Sequence, residues 1–585
     1  MYDTIIRGGT IVDGLGGEPY HGDVAIKDGR IVGIGKVDGI TAETIDADGA
    51  IVTPGFIDIH THYDGQYLWD DKIDPSFSHG VTTAVAGNCG VGFAPVLPEH
   101  RRELIELMSG VEDIPGLVLD EGLDWQWKSF PDYMDRIDAR SFGMDVATHI
   151  THAPLRVFVM GERAFRDEAA TPDDIAEMSR LVREGMAAGA VGFSTGRFIE
   201  HRSIKGAIVP GTYASEDEVL ALSHAMGAKG VFQIILRGGI GSLLMPGISR
   251  AERLLEHRLL EKVAAETGCS VTYGIADFPS DPEDIYMMAD ASGAALEKGL
   301  RIYPQTSPRG AGQINNLEGY HAFYMRPSYR EVRDLPLTQR VAAMRDPERR
   351  ARILSEADEP GEYAVDPMVM GLVRYIQSDI ANSYILDSPL DYEPSLDRSV
   401  GKLAAAAGKS PEEYVYDHYT QGTGENFNVS LALNYVHHDL NAVERLLRQD
   451  HVVSGLGDGG AHMKLICDAA NPTFQLAFWS RDRKRGPLLS LASMVNKQTA
   501  AAAAIYGLSD RGSIAVGKRA DLNVIDFDRL TLKMPHMAYD LPSGGGRLLQ
   551  ESVGYLATMV AGTVTRRNDA DTGARPGRLV RANRI

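Results

Sequence analysis

The first fifty residues alternate apolar and polar positions in short runs broken by tight turns: TIIRGGTIVDG, GDVAIKDGRIVGIG and AETIDADGAIVTPG. Alternation with period two sets one face of a run against a core and leaves the other in water, so the pattern predicts a small antiparallel β-structure. The texture returns at GSIAVGKRADLNVIDFD (512–528) and ESVGYLATMVAGTVTRR (551–567). Two β-rich ends around a different middle predict one small β-sandwich domain assembled from residues 1–54 and 510–585. Two unrelated β-appendages are the competing reading.

In the middle the pattern changes. Short apolar runs occur at GFIDIH (55–60), VTTAVAG (81–87), DVATHI (145–150), AVGFSTG (190–196), VFQIIL (231–236), SVTYGIA (270–276), RIYPQT (301–306) and VVSGLGD (452–458). Runs this short and apolar on both faces fit buried parallel strands. Helical patterns separate several of them. PDDIAEMSRLVREGMAAG (172–189) spaces Ile175, Met178, Leu181, Val182 and Met186 along one helical face and ends at Gly189, and SEDEVLALSHAMGAKG (215–230) predicts another helix. Eight strands alternating with helices predict an α/β fold, a (β/α)8 TIM-like barrel over residues 55–509. The stretch 310–450 is too long for one connection and is predicted to be an insertion, a candidate cap over the barrel mouth. The alanine run at 500–504 reads as a small-residue helix face.

Composition narrows the partners. Among 585 residues, 59 basic and 80 acidic side chains give a formal net charge of −21, a field that repels nucleic acid and anionic membranes. The hydrophobic share of 44% excludes a disordered chain. Three cysteines, Cys89, Cys269 and Cys467, cannot build a disulfide framework. The N-terminus lacks the features of a signal peptide, and no apolar stretch approaches a membrane span. A cytoplasmic protein acting on a small molecule, and compatible with a homo-oligomer, is expected.

Candidate chemistry begins at TPGFIDIHTHYDGQ (53–66). A strand running into His-x-His sets His60 and His62 on one side, and at the C-terminal end of a barrel strand that side is the mouth. Paired neutral imidazoles there predict a divalent metal, with zinc the expected ion. At the eighth run's end, SGLGDGGAHM (454–463), Asp458 follows apolar residues among glycines. In a closed barrel strands one and eight are neighbours, so Asp458 would meet the histidines. Taken alone it is an Asp-Gly turn. Cys89, in SHGVTTAVAGNCGVGFAP (78–95), is a ligand only if a metal lies beside it, and otherwise a small core hydrophobe.

DTIIRGGTIVDG, VTPGFIDIHTHYD, GVTTAVAGNCGVGFAP and GLSDRGSIAVGKRADLNVIDFD follow one another in an order that resembles the amidohydrolase superfamily, in its D-aminoacylase (N-acyl-D-amino-acid deacylase) branch. The resemblance implies a metal-bearing barrel plus a β-domain from both termini, with His60, His62, Cys89 and Asp458 matching the branch's metal ligands. The middle departs from the branch. Ile235 stands where relatives carry a histidine, and SVTYGIADF (270–278) has none. Its later text, GGAHMKLICDAANPTFQLAFWSRDRKRG (459–486), is closer to a longer, divergent subgroup.

Four polar groups at predicted strand ends are candidates to compensate: His149, His152, Asp277 and Gln305. His152 is the preferred one, either as a substrate contact or as a support behind the metal ligands. RDRKRG (481–486) is either a fork for a substrate carboxylate or a solvated loop. The expected activity is hydrolysis of an amide bond, in an N-acyl (D-)amino acid or related N-acyl compound, by one divalent metal per chain with Asp458 moving the proton. A cyclic amide, imide or lactone is the alternative substrate, and a non-catalytic scaffold the alternative role.

Overall fold

The computed structural model describes residues 1–239 and 248–582. All eight expected runs are strands: Phe56–Asp58, Val81–Ala86, Asp145–Thr148 continued by Ile150–Thr151, Gly192–Gly196, Val231–Ile235, Ser270–Gly274, Ile302–Thr306 and Val453–Ser454. Each pairs in parallel with the next. A parallel bridge between Thr61 and Gly459, just beyond the first and last strands, closes the ring. Every residue of Val81–Ala86 and Ser270–Gly274 is buried, which is why these strands read as continuous apolar runs rather than alternating ones. Gly192 permits the close approach of strands four and five. A Cβ there would sit 1.9 Å from the Val231 carbonyl oxygen.

The helix expected at 172–189 runs Pro172–Ala188. Thr171 and Asp174 form its capping box, and Gly189 ends it with φ of 108°. The helix expected at 215–230 stops early, as Glu216–Met226, because Gly227 turns to φ of 80°. The alanine run lies in the helix Ala500–Ile505, whose Ala502 and Ala503 pack with Ile57, Ile59 and Val85 beneath the barrel strands.

Both termini build the β-sandwich domain. Leu522–Ile525 pairs antiparallel with Ile51–Pro54, joining C-terminal strands to the N-terminal ones in a nine-stranded sheet. Ile6, Ile26, Val52, Leu522, Val524 and Met559 share its apolar core. The C-terminal segment also returns to the barrel mouth: Leu548 N donates to Met463 O at 2.6 Å, and Arg547 Nη1 to Asp74 O at 2.8 Å.

The long connection between strands seven and eight is itself folded. Ala311–Asn315, Asn428–Leu433 and Tyr384–Ile385 make a three-stranded antiparallel sheet. The helices Leu337–Met344, Pro347–Ser355, Pro367–Asp379 and Pro411–Tyr419 flank it and share an apolar core with Tyr329, Val341, Ile353 and Tyr416. Two of the three arginines of RDRKRG hold this body down, and the third ties to the C-terminal segment. Arg483, 5% exposed, pairs with buried Glu393 at 3.0 Å, Arg485 Nη1 donates to the Glu393 carbonyl, and Arg481 Nη2 donates to the Leu530 carbonyl. The arginines of that run are therefore engaged in structural contacts rather than forming a fork free for substrate, while Asp482 and Lys484 face solvent.

Candidate metal centre

Strand one ends at Asp58, and the chain bends at His60 on its way to His62, both residues being buried. Asp58 accepts from His60 N at 3.2 Å and from Ser76 Oγ at 3.1 Å, which fixes the turn of the chain as it leaves the strand. Gln305, at the end of strand seven, orients the first imidazole. Its Nε2 donates to Thr272 Oγ1 at 2.8 Å, so its Oε1 is left to accept from His60 Nδ1 at 3.1 Å. That contact puts the proton on Nδ1 and leaves the Nε2 lone pair pointing into the mouth. Gly455 keeps this pair in place, since a Cβ there would lie 2.3 Å from Gln305 Oε1. Replacing Gln305 with Leu should therefore leave the barrel folded but weaken metal affinity by about 10–100-fold, measured by chelator competition. Unchanged affinity would show that His60 does not need this partner.

Cys89 takes up a left-handed backbone with φ of 57° at the end of strand two. Its amide donates to Gln233 Oε1 at 2.8 Å, and the next amide, of Gly90, donates to Ser194 Oγ at 3.1 Å. This turn sets Sγ 3.5 Å from His60 Nε2. Asp458 also has positive φ, 44°, and its amide donates to the His60 carbonyl at 3.0 Å. Its Oδ1 then lies 3.4 Å from His60 Nε2 and 3.7 Å from His62 Nε2.

Donor atoms of His60, His62 and Cys89 all fall within 4.8 Å of one another. Two ligands at about 2.0–2.3 Å from one tetrahedral zinc stand about 3.3–3.6 Å apart, so the contacts of His60 with Cys89 and Asp458 are close to the edges of such a shell. The 3.4 Å contact of His60 with Asp458 is long for a hydrogen bond.

The electrostatics agree with a missing positive charge. Burial pushes the Asp458 carboxyl up to about 8, helped by Asp468 and Asp58. It raises the Cys89 thiol well above its usual range and lowers His60 to about 4. Acids that keep their protons beside imidazoles that refuse theirs form a set that a divalent cation would satisfy in one step. The residues present fit a metal ion.

The structure brings further groups to the site. Glu112, the last residue of the helix Arg101–Glu112, is 2% exposed, and its Oε2 lies 3.4 Å from His62 Nε2. His462, four residues after Asp458, places Nε2 3.8 Å from the same oxygen. His201 is held to about 3 by burial, with smaller contributions from His462 and His60. Sequence reasoning missed all three as site residues. Only His462 carried a signal, its position in the quoted SGLGDGGAHM.

The other candidates lie differently. His152 is fully buried, with Nδ1 2.7 Å from Thr195 Oγ1 and Nε2 3.0 Å from Glu218 Oε1, so both ring nitrogens are spent within the protein. Glu218 is paired in turn with Arg156. The expected substrate contact at His152 is thus a buried structural network. His149 likewise turns Nδ1 to the Ala86 carbonyl and Nε2 to Tyr506 Oη. Asp277 N donates to Asn434 Oδ1 at 3.1 Å, tying strand six to the inserted body.

The fold is a closed parallel α/β barrel whose C-terminal mouth gathers His60, His62, Cys89 and Asp458. Comparison gives the family. The amidohydrolase family model matches residues 43–566, and the chain belongs to that family. A D-aminoacylase of Alcaligenes xylosoxydans xylosoxydans is 34% identical over 230 residues, 39% of this chain, and the match spans 43% of that relative's length. Among solved structures, a D-aminoacylase superposes with a TM-score of 0.64 at 22% identity, covering 99% of this chain and 100% of the other. The N-acyl-D-glutamate deacylase of Bordetella bronchiseptica, complexed with zinc and a phosphonate inhibitor, gives 0.63 at 22% identity, covering 99% of each chain. At that identity these two establish the shared fold. Among the described residues no helix is long and apolar enough to cross a membrane.

Proposed function

We propose that this chain is a metal-dependent hydrolase of an amide bond in an N-acyl amino acid, and that His60, His62, Cys89 and Asp458 hold one catalytic divalent ion, zinc. The observation that carries this reading is the convergence of those four side chains at the barrel mouth in a chain of the amidohydrolase family. The deacylase relatives supply the substrate class, with D configuration as its finer form.

A bound divalent ion would supply Lewis acidity, bringing a water's pKa towards about 7 and polarising the scissile carbonyl. The protein's own groups do the rest. Gln305 keeps His60 in the tautomer that offers Nε2. Asp458 is the base, with its side chain 23% exposed where the flanking imidazoles are nearly covered. Gly457, Gly459 and Gly460 line a cleft beside it, together with Pro75, Met463 and Arg547. An amide carbonyl carbon entering that cleft takes the water oxygen. Asp458 accepts the water's proton, and as the C–N bond breaks it delivers that proton to the departing nitrogen, leaving a carboxylic acid and a free amine.

Metal analysis of protein purified without added metal or chelator, beside the His60→Ala variant, tests the centre. Bound zinc is expected in the parent and is expected to be lost in the variant. A parent that stays metal-free even after incubation with zinc would end the reading. Turnover of N-acyl-D-amino acids, their L enantiomers and cyclic amides then assigns the substrate, and the D series is expected to be fastest.

A further inference from the structure

We propose that His100, Glu103 and Glu162 hold a structural divalent cation away from the barrel mouth, where it pins the start of the helix Arg101–Glu112 to the end of the helix His152–Met160. The site is a helix length from the catalytic residues. Glu112, at the far end of the first helix, is the residue that reaches His62, and twelve residues at about 1.5 Å each span roughly 18 Å. The inference uses none of the residues assigned to catalysis and stands apart from that reading.

Two separate segments meet there. His100 ends the short turn Pro98–His100 and stands just before the helix Arg101–Glu112, with Glu103 three residues on, in the first turn. Glu162 follows Gly161, which ends the helix His152–Met160 with φ of 56° and starts a further turn, Glu162–Phe165. The Gly161 backbone lies against the imidazole, since a Cβ there would sit 3.6 Å from His100 Nε2. Donor atoms of His100, Glu103 and Glu162 all fall within 4.8 Å of one another.

The imidazole makes this more than a pair of surface acids. His100 is 8% exposed, and its Nδ1 is buried without a hydrogen-bond partner. Oε2 of Glu103 is buried and equally unpartnered. The two residues are close enough to share an ion, yet these atoms make no hydrogen bond to each other or to anything else. Leaving both unsatisfied is costly, and a ligand common to them would recover that cost. Nor does a basic side chain fill the gap. Arg101 donates to the Trp125 carbonyl and lies over its ring, Arg102 pairs with Glu106, Arg163 with Glu168 and Asp174, and Arg166 with Glu168. Among the described residues neither Glu103 nor Glu162 has a salt-bridge partner, although four arginines lie close in sequence.

One imidazole nitrogen and two carboxylates form a donor set that suits zinc or manganese, and it lacks the thiolate that marks the mouth. Two carboxylates balance the two charges of the ion. The end of the helix His152–Met160 adds the partial negative charge of its dipole on the same side, while the positive end of the helix Arg101–Glu112 is met by Glu103 itself. Glu162 is exposed, so its side chain is free to swing in to the metal–oxygen distance of about 2.0–2.2 Å. Three protein ligands leave the remaining position to water.

Equilibrium dialysis of the full chain against graded free zinc, with metal counted by mass spectrometry, compares the parent with His100→Phe and Glu162→Gln. Phe keeps the ring packed near Phe165 and removes the nitrogen. The parent should bind one more ion per chain than His100→Phe, and Glu162→Gln should need at least about tenfold more free zinc to fill that place. Cobalt loading separates this site from the mouth. The charge-transfer band of a cobalt–thiolate bond reports Cys89, so both variants should lose cobalt and keep that band. Should His100→Phe fail to fold by circular dichroism, Glu162→Gln, at an exposed position, carries the test alone. A smaller shift in Glu162→Gln overturns the proposal, whatever the thiolate band shows. A parent without that band that still loses one ion in the variants overturns the catalytic centre and leaves this site standing.

Discussion

Asp458→Asn is expected to lower kcat by about 10²–10⁴-fold while the fold is kept. Asn matches the shape of Asp and retains an oxygen towards His60 and His62, but it can neither take a proton from water nor return it to the leaving nitrogen. His60, His62 and Cys89 still supply three ligands, so the comparison should be made at saturating zinc with metal content measured in the same samples. Loss of turnover with metal retained identifies the proton carrier. Turnover equal to the parent's would remove Asp458 from the chemistry and leave it a ligand at most.

The second large effect is on stability. Arg511→Ala is expected to destabilise the protein by about 3–5 kcal/mol, the cost of stripping one partner from a buried ion pair. Arg511 enters from the C-terminal segment, donates to Asp145 Oδ2 at 2.6 Å and Thr83 Oγ1 at 2.9 Å, and lies 3.8 Å from Asp521. Asp145 opens barrel strand three, and Asp521 lies just before the strand that crosses into the terminal sheet. Without Arg511 the two buried carboxylates keep only Arg519 between them. The first urea unfolding transition of the metal-loaded protein should move accordingly. A change below about 0.5 kcal/mol, the range of ordinary surface substitutions, would show that the network does not join barrel to sandwich.

Much of the architecture was legible because local periodicity carries it. Buried parallel strands have no polar face, so each of the eight appears as a short apolar run. The apolar spacing from Ile175 to Met186 and the stop at Gly189 mark the helix Pro172–Ala188. Motifs at strand ends were equally readable: His60, His62, Cys89 and Asp458 sit where barrel topology sends side chains into the mouth. The inserted body was visible as excess length, but its own sheet and apolar core were not, since its short strands and helices alternate without a clear period.

Glu112, by contrast, belongs to a run, ELIELMSGVEDIPG, that reads as an ordinary amphipathic helix with an acidic end. Nothing local says that this end is buried against His62 rather than solvated. His152 fails in the opposite sense: its place after a strand suggested a group reaching the substrate, and Glu218, 66 residues later, captures it. Gln305 became informative only once strand seven set it against His60.

By itself the sequence determined the barrel and the β-domain shared between the termini, because each depends on patterns within a few residues or on neighbouring strands, and it named candidate side chains after strands one, two and eight. Tertiary structure decided which buried polar groups are spent and which are left facing one another. Ionisation, hydrogen bonding and ligand geometry in a buried site depend on partners far away in the chain, such as Glu112 and His462, and no local pattern encodes their meeting.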